Sequence, residues 1–536
     1  MGSFCLRSVE YAARNCPMAY GTMTVVKNWP DTVVPEVVDV RPLPRGGSSL
    51  PLVLMVAGGA ISLSLVTGSH TLLALIAIPL VISMAWSNPA GMIGILPIWL
   101  VLLGMVRRLT TGGTNVTFSG DPLLLIAPLA LLVMWLMVTR SREPGALTPL
   151  ARWVLAFNVV ALLQAFNPTQ GSLLTGLGGV LFLTIPTLAF WIGRRLAEPI
   201  MIMRVIWTVA LMSLIAAAYG LYQQFVGFPS WDQSWIASKG YAALNVGGGV
   251  TRAFSSFSSA QEYAAFLSVG AVAWAALLTK STRWPILLHL AALATVLTAL
   301  FYESQRTSVF LVTLALGMMA AAKRRYRPIN VALAGTVAVA LLILFAGAIG
   351  GSSSTSSSSS PGSVLAQHQL SGVSQPLGSN SSLSGHISAT RKGLLLGIRH
   401  PLGRGTGATT LAAGKYSSSS HLTGTEFDPG NMAIDFGAVG IVVYLMLLLN
   451  GLRTAYRLAV RRRDTIGLFV IGIAGATLFQ WTNGDLYSVC WLVWLAFGFA
   501  DHLLKVETDR DEAARVVVDT FTWRRPSESA RQAPAQ

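Results

Sequence analysis

Charge is what this chain has least of. Asp, Glu, Lys and Arg make up only 11% of its 536 residues, against about 25% in an ordinary soluble domain. A water-soluble protein of this length needs far more charge to cover its surface, so a soluble multidomain enzyme is excluded. The 3 cysteines, Cys5, Cys16 and Cys490, are too few and too scattered for a disulfide scaffold or a zinc cluster. No His, Cys or carboxylate set has metal-ligand spacing, so no structural metal is expected. What the chain has in excess is apolar: 53% of its residues are hydrophobic, with a mean hydropathy of +0.59. Such a composition excludes a disordered chain and leaves a polytopic membrane protein.

Acidic residues are the scarcer charges. Lys and Arg total 38 and Asp and Glu 22, a net charge of +16. A nucleic-acid binder clusters its cations on one soluble face. Here they stand in short runs between apolar stretches, such as Arg194-Arg195, Lys323-Arg324-Arg325 and Arg461-Arg462-Arg463. That is the pattern of cytoplasmic loops under the positive-inside rule, and no nucleic-acid partner is expected. A helix needs roughly 20 apolar residues to cross the hydrocarbon, and on that length the sequence predicts an all-α transmembrane bundle of about fourteen spans (roughly 12–14). They are 50–68, 71–86, 90–106, 122–139, 152–166, 172–193, 200–226, 263–279, 285–302, 307–322, 328–350, 430–451, 465–482 and 486–504. With residues 1–49 inside, 28 of the 38 cations fall on the cytoplasmic side. Reversing the chain would invert the bias at every strong cluster, so both termini are expected in the cytoplasm.

Residues 1–49 contain Pro30, Pro35, Pro42, Pro44 and Gly46-Gly47 but no continuous apolar run. They read as a disordered cytoplasmic tail without a signal peptide, and 505–536 read as a second cytoplasmic tail. Between them lie the first part of the bundle (50–350), a large extracytoplasmic loop (351–429) and the last three spans (430–504). The loop opens with low-complexity serine at 352–360, a tether without packing capacity. Residues 388–398 then take helical apolar spacing, as expected of a short amphipathic helix on the outer rim. His400-Pro401-Leu402-Gly403-Arg404-Gly405-Thr406-Gly407 reads as a tight turn whose glycines supply φ > 0. It lacks the preceding strand and the following Gly-Lys-Ser/Thr of a nucleotide loop.

Ionisable groups at span ends are informative because burying them near lipid is costly. Four such places map to the outer face: Thr251-Arg252-Ala253-Phe254 with Gln261-Glu262-Tyr263; Tyr302-Glu303-Ser304-Gln305-Arg306; His421, Glu426 and Asp428 with Asp435 behind them; and Gln480-Trp481-Thr482-Asn483-Gly484-Asp485. Guanidinium is always charged and forks onto phosphate oxygens, so Arg252 and Arg306 are the candidate binders of a diphosphate. Arg391, Arg404 and Glu303 are further candidates, although Glu303 could instead pair with Arg306 at i, i+3. Arg107 and Arg108 also fall outside, either snorkelling at the interface or meeting lipid phosphate. His289 is expected to bond a backbone carbonyl, and Trp481, Trp491 and Trp494 are expected at the interface or in packing.

In order and spacing these pieces resemble the O-antigen ligase and O-antigen polymerase superfamily over roughly residues 150–500. The matching motifs are Thr251-Arg252-Ala253-Phe254-Ser255-Ser256-Phe257, Ser304-Gln305-Arg306-Thr307-Ser308, and His400-Pro401-Leu402-Gly403-Arg404-Gly405 where the family tends to show Asn-Pro-Leu-Gly-Val-Gly. The last is Asp435-Phe436-Gly437-Ala438-Val439-Gly440, like the family's Glu-x-Gly-x-x-Gly. The resemblance implies a cofactor-free, metal-independent inverting glycosyltransferase at the outer face of the bacterial cytoplasmic (inner) membrane. Its donor would be an undecaprenyl-diphosphate-linked glycan. Its acceptor would be a lipid-A core for a ligase or another lipid-linked repeat unit for a polymerase. Arg252 and Arg306 match the arginines that hold the diphosphate. The family's His-Asn pair is absent, and Glu426, ahead of His421, stands nearest its place as the base, with Asp435 a third candidate. The rival readings are a lipid-linked oligosaccharide flippase, which evenly short loops and internal repeats would favour, and a non-catalytic component of a polysaccharide export assembly.

Overall fold

The computed structural model describes residues 70–110, 121–140, 147–196, 198–239, 245, 250–279, 283–324, 364–365, 368–369, 382–417, 424–425 and 427–522. These residues fold as helices, with no strand among them. In chain order the helices are α1 (His70–Ser87), α2 (Pro89–Thr110), α3 (Pro122–Thr139), α4 (Pro149–Gln164), α5 (Leu173–Arg195) and α6 (Pro199–Phe225). Then follow α7 (Ser230–Lys239), α8 (Ala260–Leu278), α9 (Pro285–Glu303), α10 (Arg306–Arg324), α11 (Ser382–Arg399) and α12 (Leu411–Tyr416). The last are α13 (Asp428–Arg462), α14 (Thr465–Ala476) and α15 (Gly484–Glu512, continuing to Thr522). Ten of these, all but α4, α7, α11, α12 and α14, are long and apolar enough to cross a membrane. The chain is a multi-pass membrane protein.

Two predicted spans, 50–68 and 328–350, lie outside the described residues, as do the serine run and the tail 1–49. Two others form helices too short to count among the crossing ones. The stretch 152–166 becomes the 16-residue α4, and 465–482 becomes the 12-residue α14. Hydropathy continues to 482, but Phe479 takes a left-handed backbone (φ 67°) and turns the chain back. Trp481 is thereby carried into the interior, where its indole N–H faces the Ala474 carbonyl at 3.3 Å. Every residue of α14 is buried, so it is a core helix rather than a lipid-facing one.

Small residues set the packing, as in membrane bundles where close backbone approach replaces a hydrophobic drive. A side chain added at Gly498 would meet the Phe190 backbone of α5, and one at Gly193 the Leu495 backbone of α15. Gly393 and Gly397 seat α11 on Gly430 and Ala433 of α13 in the same way. Trp481, Trp491 and Trp494 are at most 1% exposed and serve packing, not the interface. His289 Nδ1 bonds the Pro285 carbonyl at 2.5 Å, as expected.

Polar contacts sort the helix ends into two groups. At one end Arg194 pairs with Asp501 (3.2 Å), Thr148 donates to Asp501 (2.9 Å), and Arg461 and Arg462 meet Glu507, Asp511 and Asp464. The opposite end gathers the start of α1, α3, α8, α10 and α13 and the finish of α2, α6 and α9. Every candidate functional residue in the described chain belongs to that second end.

Candidate functional site

The base of the site is a buried charge network. Arg107 and Arg108 are 1% and 3% exposed, so neither snorkels nor reaches lipid phosphate; the expectation from sequence is corrected here. Arg107 Nε pairs with Asp121 (2.5 Å) and its Nη1 donates to Ser258 Oγ (3.1 Å). His70 bridges Asp121 (3.0 Å) and the Arg107 carbonyl (3.1 Å). Burial pushes the Asp121 carboxyl up, but the His70 hydrogen bond and the Arg107 charge outweigh it and hold the group at about 2. Arg108 pairs with Asp232 of α7 (2.8 Å) and donates to the carbonyls of Phe257 and Ser255, each at 2.6 Å. A buried charge left unpaired is costly, and here two arginines are matched by two aspartates.

That network grips the segment carrying Arg252. Gln223 of α6 accepts from the backbone N–H of Phe254 (3.2 Å) and Ser255 (2.7 Å), and its amide donates to Asp232 (2.7 Å). Ser255, left-handed at φ 49°, donates to the Ala216 carbonyl (2.7 Å). Gly104 of α2 lets the backbone at 256–258 lie against the helix, where any side chain would collide. The motif therefore sits in a fixed frame, with Arg252 half-buried at its edge. Its Nε is buried and has no hydrogen-bond partner among the described residues.

Arg306 comes to the same place from the α9–α10 turn. Ser304, at φ 72°, reverses the chain between Glu303 and Arg306. Glu303 is fully buried and uses Oε2 to accept from the Gln305 N–H (2.9 Å). No ion pair joins Glu303 to Arg306 among the described residues; the charge acting on Glu303 is that of Arg252. Arg252 and Arg306 also act on one another, and Arg306 Nη2 donates to the His368 carbonyl (2.5 Å). Burial, then the charges of Arg306 and Arg252, lower the His368 imidazole to about 4. Two cations, one carboxyl group and the His368 backbone thus share one locality.

Asp435 belongs to a different arrangement. Its Oδ1 accepts from the Thr409 N–H (3.0 Å) and its Oδ2 from the Thr409 hydroxyl (2.7 Å). Its carbonyl accepts from Gly405 (3.0 Å), and that of Ile434 from Arg404 (2.9 Å). Gly437 breaks α13 at φ 64°, ψ −146°, which frees Ala438 N–H for the Pro401 carbonyl (3.1 Å). Gly403 (φ 73°) and Gly405 (φ 104°) complete the expected turn. The two motifs at 400–407 and 435–440 therefore lock together, and Asp435 is an anchor with both oxygens engaged rather than a free base. Arg404 is half-buried on this turn and Arg391 is exposed on α11; among the described residues no hydrogen bond or ion pair joins either to Arg252.

Glu426 and His421 lie outside the described residues. Sequence reasoning passed over Asp121, Asp232 and Gln223, which hold the frame. Asp121 had a visible sign, since it precedes Pro122 and caps α3 through the Leu123 N–H (3.0 Å). Glu262 was also understated: it lies three residues after the α8 cap Ser259, the spacing of a capping box. Its Oε1 accepts from Ser488 N–H (3.2 Å). Among the described residues no group of three or more His, Cys, Asp or Glu side chains is placed to hold a metal ion. No family model matches the chain, and no curated protein matches it.

Proposed function

We infer that the protein is a membrane glycosyltransferase of the O-antigen ligase/polymerase type. It transfers a glycan from a polyprenyl-diphosphate carrier to a saccharide hydroxyl. The observation that carries this reading is that Arg252 and Arg306, from separate segments, lie near enough for the charge of one to act on the other. Like charges in a partly buried site disfavour one another, and a diphosphate between them would turn that repulsion into binding. The acceptor oxygen bonds the anomeric carbon from the face opposite the leaving group, and the bond from that carbon to the diphosphate oxygen breaks. The diphosphate keeps the electron pair, and both guanidiniums stabilise its growing charge. A carboxylate or imidazole takes the acceptor's proton. Glu426, then His421, are the proposed bases.

In this reading the end carrying Arg252 and Arg306 faces outward, both termini are cytoplasmic, and the membrane is the bacterial inner one. The gathering of Arg461 and Arg462 at the opposite end supports that orientation. The test is reconstitution in liposomes with an undecaprenyl-diphosphate oligosaccharide, with and without acceptor lipids. Elongated donor would identify a polymerase, and glycan on a distinct lipid a ligase. Arg306→Ala is expected to remain in the membrane and lose transfer; full transfer by that variant would overturn the reading.

A further inference from the structure

The turn leading into Arg306 and the residue after its partner His368 carry polar atoms that no described residue satisfies. Glu303 Oε1, Ser304 Oγ, Gln305 Oε1 and both amide atoms of Gln369 are buried without a hydrogen-bond partner among the described residues. Buried polar groups are nearly always paired, and a cluster of exceptions needs an explanation. Gln369 is the most telling, since it is only 2% exposed and forfeits donor and acceptor together. Its position relative to the arginines follows from covalent geometry. Arg306 Nη2 donates to the His368 carbonyl at 2.5 Å, and a planar trans peptide then puts the Gln369 Cα within about 5 Å of that nitrogen. Glu303, Ser304 and Gln305 form the turn that leads into Arg306.

The set has a definite chemical bias. Acceptors are in excess: a carboxylate oxygen, two amide oxygens and a hydroxyl, with the Gln369 amide N–H groups and Arg252 Nε as donors. A bare diphosphate cannot use those acceptors, because it brings no donors when ionised. A ring bearing several free hydroxyls can, since each hydroxyl donates and accepts. We propose that Glu303, Gln305 and Gln369 form a glycosyl subsite beside the diphosphate site, reading the hydroxyls of the sugar attached directly to the carrier. His368 and Gln369 are then part of the donor site, and the His368 carbonyl on Arg306 marks where the donor displaces it. This rests on the reading of Arg252 and Arg306 as the diphosphate site.

The experiment separates the two ideas. Binding to the full-length protein in nanodiscs is measured for undecaprenyl diphosphate, and for undecaprenyl-diphosphoglucose, -galactose and -N-acetylglucosamine. Failure of the wild type to bind bare undecaprenyl diphosphate would remove the diphosphate reading itself. If the bare lipid binds, the proposal expects at least one sugar-bearing lipid to bind more tightly. It also expects Gln369→Ala to weaken that lipid by about tenfold, the scale of one or two hydrogen bonds, while bare undecaprenyl diphosphate changes less than about twofold. Gln305→Ala should act in the same direction. Equal weakening of bare and glycosylated lipid, no weakening of either, or no preference for any sugar-bearing lipid would each overturn the subsite. Gln369→Glu, which keeps an acceptor and loses the donors, should fall between wild type and Gln369→Ala.

Discussion

Gln223→Leu is the most revealing change to the frame that holds Arg252. The side chain is 1% exposed and its oxygen is the acceptor for two backbone donors, Phe254 N–H at 3.2 Å and Ser255 N–H at 2.7 Å. Leucine is close in size but offers no acceptor. Each buried donor left unpaired costs about 1–3 kcal/mol, so the two together put about 2–6 kcal/mol on the segment. Asp232 also loses one of its hydrogen-bond donors, at 2.7 Å. The helices that make the core, α8, α14 and α15, are untouched. The cost therefore appears as local opening of residues 251–258 rather than as loss of the bundle. At about 1.4 kcal/mol per factor of ten, even the lower bound raises the open population about thirtyfold. Trypsin cleavage after Arg252 in detergent-solubilised protein reads that population directly when reclosing is fast. Cleavage should accelerate by about thirtyfold or more while cleavage in the C-terminal tail stays constant. An unchanged rate at Arg252 would refute the reasoning.

Two further outcomes follow from the same geometry. Asp121 is held at about 2 in the folded protein against an ordinary 3.8, so its contribution is present above about pH 4 and lost as pH falls through 2. That contribution is about 2 kcal/mol; Asp121→Asn should lower thermal stability at pH 7, and the gap to wild type should close at the acid end of a melting series. Thr409→Val keeps the N–H to Asp435 but removes the hydroxyl at 2.7 Å, leaving a buried carboxylate oxygen unpaired; a loss of about 1–3 kcal/mol in denaturant titration is expected, and an unchanged midpoint would argue against the anchor.

The parts of the fold written in local pattern were legible beforehand. Apolar runs located the long helices, helical spacing at 388–398 located α11, and the glycines of 400–407 foretold a turn with positive φ. The convergence of the arginine-bearing motifs at one end was readable because alternating spans return every second turn to the same side. What could not be read was pairing. Arg108 and Asp232 lie on different elements, and Gln223 sits on an apolar helix where a lone amide carries no periodic sign. Asp435 looked like a free carboxylate because its partner, Thr409, lies 26 positions earlier in the chain. The length of α14 was overread because hydropathy does not register the left-handed turn at Phe479.

In the proposed site Arg252 and Arg306 grip one ligand, and a double-mutant cycle on undecaprenyl diphosphate binding tests that most directly. Affinities are measured for wild type, Arg252→Ala, Arg306→Ala and the double variant. Two arginines on one diphosphate should each cost affinity when removed, and the losses should be non-additive, with a coupling of roughly 0.5–3 kcal/mol. Losses that simply add, or a double variant that binds as well as wild type, would contradict a shared diphosphate site.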